Sequence, residues 1–163
     1  MKFYTLSIDY AEFLKKFDSK VPNLTGVDYK NPKPFVGVVL EIDGHKYLAP
    51  MTSPKSWHDD IKNSNVNYFK IHENGDPTNY LGMINFKFMI PIIESEICLI
   101  DLDGISSEKY KNLLYNQLQF IRSSEDKIKK RSRLLRNWSL EGKVTGTCDF
   151  LALEANYNSY VKP

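Results

Sequence analysis

The feature that most restricts this chain is a change of hydrophobic period at Gly104. Before it, apart from one helical stretch near the start, apolar residues run in short β-rich segments broken by turn residues. After it they recur at helical spacing. Strands first and helices last predict an α+β fold: a twisted, mostly antiparallel sheet with peripheral helices packed against it. The 163 residues fit one domain spanning 1–163. Ten Tyr and nine Phe supply apolar surface for its core.

Residues 2–8 alternate and predict a strand. Asp9 followed by Glu12 reads as a helix start, with Tyr10, Phe13, Leu14 and Phe17 at helical spacing. A polar stretch from Asp18 to Pro34 follows, long for a plain connection, and loops of that length are often functional. Phe35 to Ile42 is β-rich, Asp43-Gly44 is a two-residue hairpin turn, and His45 to Met51 returns. Residues 66–72 and 80–89 predict strands joined at Asn74-Gly75-Asp76-Pro77. Ile90 to Ile100 reads as one more strand, with Pro91 at an edge or bulge. Ser106 or Ser107 starts a helix carrying Tyr110, Leu113, Leu114, Leu118 and Ile121. Ser123-Ser124 starts a second, ending near Leu140, and Thr147 or Asp149 starts a short third with Phe150, Leu153 and Tyr157 on one side.

A formal charge of +2 neither demands nor excludes a polyanionic partner, so any nucleic-acid footprint lies in where the basic residues cluster. Cys98 and Cys148 are isolated and read as reduced thiols. The N-terminus has no apolar signal core, and the most apolar run, 88–93, is far shorter than the roughly 20 residues of a membrane helix. Both point to a cytoplasmic protein.

No GxGxxG, Walker A, HExxH or GxSxG pattern occurs. His45, His58 and His72 lack ligand spacing, so no metal or other cofactor is expected. A metal site from His58, Asp59 and Asp60 is the dissenting reading, against a plain solvated helix start. The informative segment is Thr52-Ser53-Pro54-Lys55, followed by Trp57-His58, at the exit of a strand. RNA cleavage through the substrate's own 2′-OH needs that hydroxyl positioned, the phosphorane's extra charge stabilised and a proton delivered to the leaving oxygen. Lysine supplies charge, hydroxyls supply hydrogen bonds, and an aromatic ring stacks an unpaired base. Thr-Ser-Pro is also an ordinary turn, and on composition alone the turn is the favoured reading. Lys33, between Pro32 and Pro34 and near Tyr29, reads evenly as a presented side chain or a connector.

The blocks Met1 to Thr5, Asn31-Pro32-Lys33, Gly44 to Pro50, Thr52 to Lys55, Lys87 to Pro91 and Gln117 to Arg122 resemble the ToxN/AbiQ family of type III toxin–antitoxin toxins. They occur in the family's order over residues 1 to about 150. The resemblance implies a fold similar to MazF-like RNases and a metal-independent, sequence-selective endoribonuclease acting on A-rich single-stranded RNA. It also implies inhibition by a small structured antitoxin RNA cut from a repeated precursor, and a role in aborting phage infection. Carried onto this chain, it centres the catalytic site on Lys33, Thr52, Ser53 and Lys55, lined by Tyr29. Ser53 would hold the 2′-OH, the lysines would meet the phosphate, and Thr52 would hydrogen-bond it.

RNA contacts are expected from Tyr10, Trp57, His58 and Tyr115; Tyr10, Tyr115 and Phe120 read as groove or core residues, with core the safer reading for Phe120. At about 100° per residue, Lys129, Lys130, Arg133 and Arg136 share one face of the second C-terminal helix, with Ile128, Leu134, Leu135 and Trp138 docking the other side. That basic face predicts contact with the antitoxin RNA; the resemblance implies a higher-order protein–RNA assembly, with cellular and phage mRNA as substrates. The alternative is a non-catalytic RNA-binding module on the same fold.

Overall fold

The computed structural model describes residues 1–24 and 37–163. Among the described residues seven antiparallel strands form one sheet: β1 Phe3–Leu6, β2 Gly37–Ile42, β3 His45–Thr52, β4 Tyr68–Glu73, β5 Asp76–Asn85, β6 Ile90–Pro91 and β7 Ile97–Leu99. Their order is β4-β5-β3-β2-β1-β7, with β6 paired to β3. Helices α1 Ile8–Lys15, α2 Glu108–Ser123, α3 Glu125–Leu140 and α4 Phe150–Asn156 surround it. The α+β expectation holds.

The hairpin of β2 and β3 is the frame. Ile42 pairs with His45, and the two turn residues have positive φ, 50° at Asp43 and 83° at Gly44. That geometry matches the twist of the flanking strands. Leu40, Ile42, Tyr47 and Leu48 are buried with Leu14, Ile84, Phe86 and Phe150 in one core. Helix α2 begins at Ser107, whose Oγ accepts from the Tyr110 amide. It lays Leu114, Leu118 and Ile121 inward and packs on β4 and β5. Each such buried side chain contributes about 1.5–3 kcal/mol, which stabilises a 16-residue helix that is marginal alone.

Several elements differ from expectation. The first helix is capped by Ser7, not Asp9, because the Ser7 Oγ accepts from the Tyr10 amide. β5 ends at Asn85, whose side chain caps a single 3-10 turn at 86–88. The strand expected over 90–100 is two: Ile90–Pro91 pairs with Leu48 and Tyr47, and Leu99 to Ile97 pair with β1 at the other side of the sheet. Pro91 has no amide to continue the first ladder. Ser124 makes no side-chain cap for α3, whereas Asp149 caps α4 by accepting from the Ala152 amide. Asp18, at the head of the polar stretch, is buried and accepts from the Asp149 amide at 2.6 Å. Both cysteines are free, and among the described residues no helix is long and apolar enough to cross a membrane.

Candidate active site at the exit of β3

Strand β3 changes partners along one edge. Tyr47 and Leu48 pair with β6, then Met51 and Thr52 pair with Ile84 and Met83 of β5. The last pair brings the Thr52 carbonyl against Gly82, so close that a Cβ there would lie 2.4 Å from the oxygen. Gly82 has φ +129°, which a side chain would also oppose. Thr52 is thus held by the sheet, and beyond it Ser53, Pro54 and Lys55 are exposed. The Thr52 Oγ1 is buried with no hydrogen-bond partner among the described residues. An unpaired buried hydroxyl costs about 1–3 kcal/mol and asks for a ligand or water.

The loop is closed by a single 3-10 turn, Ser56–His58. The His58 amide donates to the Lys55 carbonyl at 3.0 Å. The His58 ring is fully buried, its Nδ1 lies 2.6 Å from the Tyr80 hydroxyl, and its Nε2 has no partner among the described residues. Burial, then Lys55 and Lys70, holds its pKa below the usual histidine value, against a weaker pull from Asp59. Burial, then Asp59, pushes the Tyr80 phenol up to about 12, so it stays an O–H at neutral pH. Trp57 stands edge-on to His58 at 4.3 Å between ring centroids and remains 47% exposed. Tyr80 lies 5.5 Å from the His72 ring, and the Lys70 ammonium sits 5.8 Å over it.

The structure therefore gathers Thr52, Ser53, Lys55, Trp57 and His58 of the expected site. Lys33 and Tyr29 fall outside the described residues. Asp59 and Asp60 are exposed beside a buried His58, and among the described residues no three His, Cys, Asp or Glu converge. What the loop offers is hydroxyl donors, a lysine and an exposed indole, a set suited to a phosphate and an unpaired base. Tyr80, Gly82 and Gln117 escaped the sequence reading. Gln117 is buried and its Nε2 donates to the Leu81 carbonyl at 2.8 Å, directly behind Gly82. A polar residue on α2's buried face was the one available signal.

Three residues expected to contact RNA are buried instead. Tyr10 is wholly buried, its hydroxyl donates to the Pro91 carbonyl at 2.9 Å, and its ring packs edge-on against Tyr160. It is a core residue because its helix turns it onto β6. Arg136 is likewise inside. Its Nε and Nη2 bond the Glu154 carboxylate at 2.7 and 2.8 Å, and its Nη1 bonds Asp43 at 2.9 Å. It sits at the margin of α3's buried wedge, where α4 supplies a carboxylate. His58, the third of these, is buried as well, whereas Trp57 is exposed.

Tyr115 is half-buried and donates to Asp103 at 2.6 Å. Phe120 packs on Phe69 and His72, as a core residue does. Leu134, expected to dock α3, is 39% exposed. Lys129, Lys130 and Arg133 are exposed and line a shallow open depression with Asp126. Lys129 is paired to Glu125 at 2.6 Å.

Sheet, loop and basic helix define an α+β protein with a cationic, hydroxyl-rich strand exit, the equipment of a small nucleic-acid-acting protein. Residues 2–158 match the family described as Toxin ToxN, type III toxin–antitoxin system, and the chain belongs to that family. The Endoribonuclease ToxN of Pectobacterium atrosepticum is 57% identical over 162 residues, 99% of this chain and 95% of that protein. A solved structure described as "A processed non-coding RNA regulates a bacterial antiviral system" superposes with a TM-score of 0.92 at 57% identity, covering 99% of this chain and 100% of the other. Another, described by selective toxin inhibition by a non-coding RNA pseudoknot, gives a TM-score of 0.74 at 29% identity, covering 98% and 96%.

Proposed function

We propose that this endoribonuclease toxin cuts single-stranded, A-rich RNA at the exit of β3 by attack of the substrate's own 2′-OH, without a metal ion. The observation that carries this reading is the buried Thr52 Oγ1, without a hydrogen-bond partner among the described residues, beside exposed Ser53 and Lys55 on a loop held at both ends. Ser53 positions the 2′-OH. Lys55, with Lys33 from the preceding segment, meets the scissile phosphate, and Thr52 donates to it. Such donors act where charge develops, and removing one commonly lowers the rate on the order of 10²–10³. Tyr29 lines the site, and Trp57 offers its exposed indole to a base.

The inhibitor in this reading is a structured antitoxin RNA that the toxin also trims from a repeated precursor, and Lys129, Lys130 and Arg133 of α3 hold its phosphates. The setting is the cytoplasm during phage infection. Protein and RNA close into a higher-order assembly in which Tyr115 lies near the RNA groove.

The test is cleavage of single-stranded RNA in excess EDTA, with end-group analysis. Products should carry a 2′,3′-cyclic phosphate and a 5′-OH, and a 2′-deoxy residue on the 5′ side of the cut should block the reaction. Ser53→Ala and Lys33→Ala should each lose cleavage while staying folded. Cleavage of the 2′-deoxy substrate, or full activity of Ser53→Ala, would overturn the mechanism or the site respectively.

A further inference from the structure

We infer that Tyr80 is a positioning residue of this site: its hydroxyl, through His58, sets where the Ser53–Lys55 loop presents its groups. The inference rests on the catalytic reading of Lys55 given above.

The three side chains of that loop are exposed, and among the described residues none of them makes a hydrogen bond or ion pair. Their placement comes from the two ends. At the first end, Thr52 pairs with Met83 and its carbonyl seats against Gly82. At the second, the 3-10 turn buries one residue only, His58, whose amide fixes the Lys55 carbonyl at 3.0 Å. The His58 ring has a single hydrogen-bond partner among the described residues, the Tyr80 hydroxyl at 2.6 Å.

Both anchors therefore come from one four-residue piece of β5, Tyr80 to Met83. That piece is itself fixed from behind, because α2's Gln117 donates to the carbonyl of Leu81. Register with β4 adds a second constraint. Tyr80 pairs with His72, and the ladder is irregular on both sides of His72, a local distortion of the kind that re-aims a side chain. Tyr80 thereby stands between two imidazoles, with centroids 5.7 Å from His58 and 5.5 Å from His72. The half-buried ring is held by these two neighbours, and its short hydrogen bond to His58 passes its position to the turn.

The expected consequence is kinetic. A displaced catalytic group costs rate through lost orientation, and a misplacement near 1 Å lowers it on the order of 10²-fold. RNA affinity depends mainly on phosphate charges and stacking, which the Tyr80 hydroxyl does not supply.

The experiment is a double-mutant cycle of Tyr80→Phe and Lys55→Ala, read by single-turnover cleavage of a labelled adenine-rich RNA that the wild-type chain cuts. Ring nitrogen shifts of His58 are recorded in parallel. Tyr80→Phe keeps the aromatic packing, so thermal melting checks only that the variant folds. The expected result is a fall in maximal rate on the order of 10- to 100-fold, half-saturation within about twofold, a moved His58 nitrogen resonance, and little further loss in the Lys55→Ala background. Wild-type rates in folded Tyr80→Phe would overturn the inference, as would losses that add fully with Lys55→Ala. A rise in half-saturation with unchanged maximal rate would overturn it in favour of direct RNA contact by Tyr80. Full activity of Lys55→Ala would remove the site reading itself; loss in Lys55→Ala with none in Tyr80→Phe would remove only the brace. Should Tyr80→Phe not fold, His58→Asn in the same cycle decides by the same outcomes.

Discussion

Arg136 of α3 and Glu154 of α4 form a two-pronged ion pair, Nε to Oε1 at 2.7 Å and Nη2 to Oε2 at 2.8 Å, with both side chains 9% exposed. Tyr47 of β3 also donates to the same carboxylate, and Asp43 of the hairpin turn takes the remaining Nη1. Two helices and the central hairpin thus meet at one guanidinium. Removing one member of a buried pair strands the other charge, typically costing about 3–5 kcal/mol. Arg136→Ala should lower the urea midpoint sharply, whereas Arg136→Ala combined with Glu154→Gln should recover part of the loss. Equal midpoints for wild type and Arg136→Ala would show that the pair contributes nothing.

Gly82 makes a second point of low tolerance. An alanine there meets the Thr52 carbonyl oxygen at 2.4 Å in a φ of +129°. Backbone strain of that kind costs about 1–3 kcal/mol, and relief requires Thr52 to move. Gly82→Ala should lose both stability and cleavage, measured by denaturant midpoint and single-turnover rate. Gly75→Ala, at a positive φ with no atom within 4 Å, should lose stability alone. Undiminished cleavage by Gly82→Ala would mean that Thr52 need not sit where it does.

These two positions show what was legible in the chain and what was not. The Asp43-Gly44 hairpin, the helices after Gly104 and the Thr52–Lys55 loop are local patterns, and they stand in the structure where the sequence put them. Arg136 lies on the basic face by helical angle alone; only the fold reveals that α4 brings Glu154 to it. Tyr10 read as a groove or core residue because an aromatic at helical spacing does not say which body its helix packs against. Tyr80 and Gly82 sit in an ordinary β-rich run, and their role depends on a strand register across β3 and β5. The single strand expected over 90–100 failed at Pro91, whose missing amide ends one ladder and sends the chain to another.

Buried His58 and half-buried His72 each contribute stability that acid removes. Burial is the first cause of the lowered pKa of each. The unfolded chain, with its histidines at the ordinary value of 6.5, then binds more protons than the folded one as pH falls below that value. Stability is fully present above about 6.5 and is lost downward toward the folded-state pKa values. Glu154 works the other way over the same window, because burial and then Asp43 push its carboxyl up to about 7. The wild-type urea midpoint relative to that of His58→Gln isolates the imidazole, and it should fall between pH 7.5 and 5.5. A difference between those two midpoints that is independent of pH over that window would show that His58 is not held neutral by burial.

The basic face of α3 gives the last prediction. Six basic residues lie between Lys127 and Arg136, but the structure uses two of them internally. Arg131 donates to the Tyr68 carbonyl at 3.1 Å and lies over the Phe69 ring, and Arg136 is committed to Glu154. Lys129 is half-engaged by Glu125, and Asp126 sits in the same depression as Lys129, Lys130 and Arg133. Among the described residues Lys130 and Arg133 form no ion pair, and they are exposed one turn apart. A folded RNA carries closely spaced phosphates, and each one neutralised releases counterions, so contact here makes affinity fall with salt. Replacing Lys129, Lys130 and Arg133 together with Gln should weaken antitoxin binding and reduce the slope of log affinity against log salt by up to about 0.9 per lost contact, less where the RNA is single-stranded. Lys130 and Arg133 should account for most of that change, since Lys129 has a carboxylate already. Cleavage of a short single-stranded substrate at the β3 exit should be largely retained, because the face contains no residue of that loop. Antitoxin affinity that is identical to wild type at two salt concentrations would show that α3 presents only a solvated surface.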